Sequence, residues 1–533
     1  MKFRQQPTTV TPAVALLAGL CGMVAGFAFT WRAGGVLMWV ALVPLFALLW
    51  VRPLTVSRGF WLSGSWGIGF FLASYRFMTA LHPLTWRGFS DLESLLISYG
   101  GAWLGLSLVS AVGLGLWGAV IGLIRPTGWS RVWVPAAAWM IWEWAQRLGP
   151  FAMPWDVLAV SQVGYPAFLQ IGAVAGSVAV AGLIVAVNAG LASVVADFRL
   201  RQWTSWRYLV VLLVLAGINA GGGIWYLGGQ PKAEVGNMRV GVVQGNFRPD
   251  QKWQRDALRE MFDVYKRLSE AVAGDGVNLI VWPETAMPVA LDRFAGANKA
   301  IADLAMRTQT PILVGALDQK PAAPPADPHN RVGKPAVPGP YNATALFRED
   351  GTRSEWYHKR HLVPFGEYMP GGRWLAALLP QINALPEDVQ AGATTGVIAL
   401  GGLRLGTLIC YESLFPALAA DSVRDGADLL LVITNDGWYK RSSAMHQHLG
   451  QAALRAVETH RSVVRAANTG ISAFIDPFGR ISAETPIDAR TTLTGAVTPR
   501  GERTPYVRWG DWVIALAAAL LVCRAAMSIW WRE

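Results

Sequence analysis

Residues 403–412 read LRLGTLICYE, an apolar run that stops at a cysteine and turns polar at Tyr411 and Glu412. A short run of this kind, rich in aliphatic and β-branched residues, predicts a buried strand over 403–410. Downstream, 428–434 (DLLLVIT) reads as a second strand leading into a helix over 442–459, followed by strands at 462–468 and 471–476. Upstream, strands are predicted at 239–244 (RVGVVQ), 277–282 (VNLIVW), 311–315 (PILVG) and 342–347 (NATALF). Helical spacing of Leu258, Met261, Phe262, Tyr265 and Leu268 predicts a helix over 256–272, and a further helical stretch falls near 295–307. Seven prolines between 321 and 340 mark that segment as a mobile insertion. Strands alternating with helices, and hairpins joining others, suggest sheets with helices on their outer faces, compatible with two sheets packed together. No repeat of 20–50 residues is evident.

The rest of the chain has a different composition. Of the 533 residues, 53% are hydrophobic and 15% charged, against about 25% charged in an average soluble protein. Residues 11–229 hold 16 charged side chains in 219 positions and no lysine. Residues 230–511 hold 31 basic and 29 acidic residues, a net of +2, so +9 of the overall +11 belongs to the apolar part and its tails. A nearly neutral polar domain makes a poor trap for phosphates, which sets nucleic acid aside.

A helix needs about 20 apolar residues to cross the hydrocarbon core. Seven such stretches precede the polar domain, near 11–30, 34–51, 59–81, 95–123, 132–148, 165–195 and 208–228, and an eighth follows near 512–531. The first lacks a convincing signal-peptide cleavage site and reads as an anchor. With a cytoplasmic N-terminus, the inner loops and tails carry eleven Lys and Arg, while the outer loops carry Arg32, Arg87 and Arg147. The positive-inside rule favours that orientation, with both termini cytoplasmic and the polar domain outside. The expected division is a membrane domain over 1–229, an extracytoplasmic domain over 230–507 and a C-terminal transmembrane helix over 508–533.

Three side chains suggest chemistry. Glu284 follows Val-Trp-Pro, Lys359 lies in the loop YHKRHLVPFGEY beginning at Tyr357, and Cys410 ends its strand. Cys21 and Cys523 lie in membrane stretches, so Cys410 has no disulfide partner in its own domain. Taken singly, each has an ordinary reading: a lone cysteine after a strand is usually an inert buried thiol, the glutamate caps a turn, and the lysine belongs to a solvated basic loop. Meeting at strand ends, they would form a nucleophilic site. A carboxylate can take the thiol proton, and an ammonium can stabilise thiolate and oxyanion.

Four stretches, 281–288 (VWPETAMP), 357–370 (YHKRHLVPFGEYMP), 408–412 (LICYE) and 435–438 (NDGW), resemble the nitrilase superfamily. The stretch 444–479 is similar as well, and with seven spans before the domain and one after, the chain looks like the superfamily's membrane-bound branch, the apolipoprotein N-acyltransferases. The resemblance implies a polytopic α-helical membrane protein of about eight transmembrane helices bearing an α/β nitrilase-like αββα sandwich domain. It implies a catalytic triad that carries over onto Glu284, Lys359 and Cys410, with supporting roles at Glu367, Tyr411 and Glu412. Trp253 and Trp438 match aromatic positions near the acyl or lipid pocket, although Gly437 stands where the family often has alanine. The implied reaction needs no metal or organic cofactor. It moves an acyl chain from a phospholipid to the cysteine, then to the α-amino group of a lipoprotein's N-terminal diacylglyceryl-cysteine. The implied partners are therefore a phospholipid donor and a diacylglyceryl apolipoprotein acceptor, met by a monomer in the bacterial inner membrane with its catalytic domain on the periplasmic side.

Two further features bear on lipid. The apolar stretch 374–379 (WLAALL) reads equally as a membrane-surface lip or a core-facing helix. Arg76 and Glu143, near outer span ends, are candidate head-group contacts or simply pair and snorkel. The main rival is a membrane-tethered nitrilase-type amidase or hydrolase, in which water resolves the thioester. A Cys-His hydrolase using His446, His448 or His460 is weaker, since the first two, two residues apart on a predicted helix, face different ways. A non-enzymatic transporter or scaffold carrying a dead nitrilase-like domain is weakened by the presence of all three triad residue types.

Overall fold

The computed structural model describes residues 9–199, 206–230, 238–252, 257–319, 339–370 and 388–530. Backbone contacts separate two compact units, Met1–Gln230 with Ser442–Gly450 and Thr504–Glu533, and Pro231–Arg441 with Gln451–Arg503.

The described residues of the polar unit form thirteen strands: β1 Met238–Gln244, β2 Leu279–Val281, β3 Met287–Ala290, β4 Ile312–Asp318, β5 Tyr341–Phe347, β6 Tyr357–His358, β7 Ile398–Leu400, β8 Leu403–Ile409, β9 Leu429–Thr434, β10 Val463–Ala467, β11 Ala473–Ile475, β12 Ile481–Glu484 and β13 Thr491–Val497. One sheet runs β13-β1-β2-β4-β5-β6, with β3 alongside β4. The other runs β12-β11-β10-β9-β8-β7. In each sheet the central strands are parallel, β1-β2-β4 and β8-β9-β10, and antiparallel strands close the edges.

Strand periodicity assigns the layers. Val240, Val242, Leu279, Val281 and Leu313 of the first sheet share a buried cluster with Leu405, Ile409, Leu431, Ile433 and Val464 of the second, so these faces pack together. The alternate residues Val243, Ile280, Trp282, Ile312 and Val314 pack outward against Met261, Val264 and Tyr265 of the helix Ala257–Ala273 and Ile301 and Leu304 of the helix Ala295–Thr308. On the second sheet, Gly406 of β8 lies against Ser422 of the helix Pro416–Arg424. The layers therefore run helix, sheet, sheet, helix, as expected. Strands buried on both faces read as unbroken apolar runs, which is why 403–410 and 428–434 were legible.

Boundaries differ where local chemistry intervenes. Cys410 leaves β8 with φ +54 and starts a 3-10 turn over Cys410–Leu414, so the strand ends at Ile409. Most of the proline-rich segment, 320–338, and the apolar stretch 374–379 lie outside the described residues.

In the other unit, among the described residues, five helices are long and apolar enough to cross a membrane: Pro12–Thr30, Arg32–Trp50, Asp91–Ile124, Ser177–Phe198 and Trp206–Gly228. Val56–Ser74 is long enough but diluted by Arg58 and four serines, and Ser130–Ala145 has 16 residues. The predicted stretch 165–195 divides at Gly176, whose φ of +77 separates a short Pro166–Ala175 segment from the long helix beginning at Ser177. Small residues let three helices meet backbone to backbone: a Cβ on Gly22 would lie 1.9 Å from the Trp66 carbonyl oxygen, and one on Gly59 2.1 Å from that of Gly118.

Candidate active site

Three strand ends and one loop of the polar unit supply the chemistry. Glu284 follows β2, Asn342 lies on β5, Lys359 follows β6, and Cys410 follows β8. The Lys359 ammonium is fully buried and donates to Glu367 Oε1 at 2.9 Å, with Glu284 Oε1 at 3.7 Å. Asn342 Nδ2 donates to both carboxylates, at 2.7 Å to Glu284 and 3.0 Å to Glu367. Glu367 is fixed in turn by the Val363 amide, which donates to its second oxygen at 2.8 Å. One lysine and one amide thus hold two glutamates in a defined geometry, with one oxygen of Glu284 tied to both.

Glu412 explains how the loop reaches the thiol. Its buried carboxylate accepts from the Ile409 amide at 2.7 Å, Tyr357 Oη at 2.8 Å and the Arg360 and His361 amides at 2.6 and 3.2 Å. The residues before and after Lys359 are therefore tied to the turn that carries Cys410. Charge-assisted bonds to several backbone amides are strong enough to set a loop path. The His361 ring packs on Phe415 at 3.7 Å and lies 5.9 Å from Tyr411, a buried residue that also packs on Phe415.

Electrostatics divide the site. Burial pushes the Cys410 thiol far up; Glu284 and Asp436 add to that rise, and Lys359 and a hydrogen bond with Thr434 oppose it. Burial alone would depress the Lys359 ammonium, but Glu367, Glu284 and Cys410 outweigh it and hold Lys359 well above the ordinary lysine range. The resting pair is accordingly a neutral thiol beside a permanent cation, and attack requires a base. His361 is lowered to about 4, by burial first and the Lys359 charge second, so its ring is neutral at physiological pH. Asp436, at the start of the 435–438 segment, receives Arg465 Nη2 at 2.7 Å and Thr434 Oγ1 at 3.0 Å.

Of the residues singled out from sequence, Glu284, Lys359 and Glu367 meet by direct contact, Cys410 stands within their electrostatic reach, and Glu412 and Tyr411 flank them. Trp438 is half-buried in the 3-10 turn Asp436–Tyr439. Trp253 lies outside the described residues. Arg76 is exposed, its guanidinium 6.0 Å from the Phe27 ring centroid. Glu143 is fully buried, with one carboxylate oxygen receiving Trp139 Nε1 at 2.9 Å and the Leu158 amide at 2.8 Å, which is an interior bracing contact. His448 is buried 5.6 Å from Trp155 and His460 packs 5.5 Å from Phe478. Sequence reasoning passed over Asn342, Tyr357, Asp436 and Lys252. Tyr357 stood inside the quoted loop and Lys252 directly before Trp253; nothing local marked Asn342.

The two sheets and the strand ends that carry Glu284, Lys359 and Cys410 lie within residues 239–506, which match the carbon-nitrogen hydrolase family. Residues 21–190 match a second family, the apolipoprotein N-acyltransferase N-terminal domain. An apolipoprotein N-acyltransferase of Gloeobacter violaceus is 33% identical over 97% of this chain and 94% of its own, and one of Pseudomonas putida 32% identical over 74% of each. Among solved structures, a nitrilase-superfamily amidase of Nesterenkonia AN1 shares 19% identity over 52% of this chain and 95% of its own, at a TM-score of 0.37. The chain belongs to the apolipoprotein N-acyltransferase family.

Proposed function

We propose that this protein transfers a fatty acyl chain from a phospholipid, through a thioester on Cys410, to the α-amino group of the N-terminal diacylglyceryl-cysteine of an apolipoprotein. The reading is carried by the pairing of a buried Lys359 between Glu284 and Glu367 with a neutral Cys410 thiol, in a chain of this family. Glu284 takes the Sγ proton as the sulfur attacks the ester carbonyl, and Lys359 donates to the developing oxyanion. Collapse expels the lysophospholipid alkoxide, which leaves with the proton held by Glu284. The lipoprotein amine then attacks the thioester, Glu284 accepts its proton, and the thiol is restored with that proton. Two steps of this kind make a ping-pong cycle.

Both substrates of this reaction are lipids, and the chain carries apolar helices long enough to cross the bilayer in which such lipids reside. The reading includes eight spans, the domain division 1–229, 230–507 and 508–533, cytoplasmic termini and a periplasmic catalytic domain, supported by eleven basic residues on one set of loops and tails against three on the other. Mass spectrometry of protein incubated with labelled phospholipid is expected to find an acyl thioester on Cys410, and a diacylated lipopeptide to discharge it as amide. An acyl-enzyme that persists in Cys410→Ala would refute the nucleophile, and release of free fatty acid in place of amide would establish the hydrolase.

A further inference from the structure

The one-turn helix Pro249–Lys252 brings a second buried lysine to the site. Lys252 is 1% exposed, and its Nζ donates to the Glu284 carbonyl oxygen at 3.0 Å and to Thr285 Oγ1 at 2.5 Å. Both acceptors are neutral, so among the described residues this ammonium is held by the backbone and hydroxyl of a turn and not by a paired carboxylate.

That turn is strained. Thr285 has φ +43, and a β-branched residue in the left-handed region is an outlier that persists only where surrounding structure imposes it. Two things surround it. On one side lies Gly315 of β4, where a Cβ would stand 2.3 Å from the Pro283 carbonyl oxygen and 2.9 Å from both Glu284 Cα and Thr285 N. Lys252 grips the carbonyl of Glu284 and the hydroxyl of Thr285. The carboxylate of the same Glu284 lies 2.7 Å from Asn342 and 3.7 Å from Lys359, so a small displacement of the Glu284 backbone would move it off both.

We propose that Lys252 is a positioning residue for acyl transfer: its two hydrogen bonds lock the strained Glu284–Thr285 peptide over Gly315 and thereby aim the Glu284 carboxylate at the Cys410 thiol. The inference rests on the reading of Glu284 as the base. Burial depresses the Lys252 ammonium to about 8 against the upward pull of Glu284 and Cys410, the cost expected when a cation is kept in a dry site.

The test uses the full-length purified protein and single-turnover acylation by fluorescent phosphatidylethanolamine in mixed micelles. Lys252→Met is expected to slow acyl-enzyme formation about 100-fold, with the half-saturating donor concentration within about threefold, because a misplaced base lowers rate more than binding. Adding Thr285→Gly removes the backbone strain that the lysine restrains, and is expected to recover about tenfold of the loss. A Lys252→Met protein that acylates at the wild-type rate, or a folded double variant no faster than Lys252→Met, overturns the proposal. If Lys252→Met does not fold, the same pair is made with Lys252→Gln; recovery by the added glycine supports the clamp, and no recovery overturns it. Glu284→Gln and Cys410→Ala run alongside: activity retained in either defeats the triad reading, whereas wild-type activity in Lys252→Met with both of those dead defeats only the clamp.

Discussion

At the residue scale the site turns on a thiol whose ionisation burial opposes and a cation that its carboxylate neighbours hold in the charged form. Burial, Glu284 and Asp436 raise Cys410, while Lys359 and Thr434 lower it. The thiolate is the reactive form towards a simple electrophile, so the sign is fixed: alkylation of Cys410 by iodoacetamide should still be rising with pH at 9, where an ordinary thiol has begun to level off. Lys359→Met removes an opposing charge and should slow alkylation further at every pH. A plateau between pH 6 and 7 would mean an activated resting thiolate. Glu284, Lys359 and Cys410 stood out in the sequence only together, through the motifs that carry them, since each alone has an ordinary reading. Asn342 was not, since an asparagine in a strand carries no local mark; only the pairing of β5 with β4 and β6 brings it between two glutamates.

At the scale of elements, the turns after strands do the aiming. Cys410 at φ +54 and Thr285 at φ +43 both end apolar strand regions in the left-handed region, which redirects their side chains out of the pleat. The prediction of a strand through 410 failed by one residue because periodicity does not report the sign of φ. Gly315 supports one of these turns by having no side chain. Gly315→Ala would push a Cβ into the Pro283 carbonyl, costing about 1–3 kcal/mol in overpacking. Acyl-enzyme formation should fall at least about tenfold as Glu284 shifts; melting and single-turnover acylation of this variant measure the two effects together, and unaltered acylation would show that the turn tolerates movement.

At the scale of the whole molecule, the positive charge belongs to the apolar part and its tails, and residues 230–511 are nearly neutral. Topology makes a direct prediction. Arg441 has a 75% exposed side chain in the polar unit, and Arg125 is exposed at the end of the helix Leu106–Ile124. In intact cells whose outer membrane is permeable to it, an impermeant maleimide should label Arg441→Cys, and should label Arg125→Cys only after inner-membrane permeabilisation. The opposite pattern would invert the orientation.

The amino-acid sequence alone determined the two-part composition and the alternation of strands and helices, because hydrophobic periodicity and charge placement are local properties, and its motifs singled out Glu284, Lys359 and Cys410 as the proposed triad. Tertiary structure alone decided that Glu412 ties the lysine loop to the cysteine turn, that Asn342 bridges two carboxylates, and that Lys252 grips the glutamate's backbone. Apart from the Ile409–Glu412 contact within the cysteine turn, those contacts join residues 25 to 58 positions apart on different strands and loops. Hydrogen-bond geometry of that kind is fixed by how the sheets stack and where their strands stop.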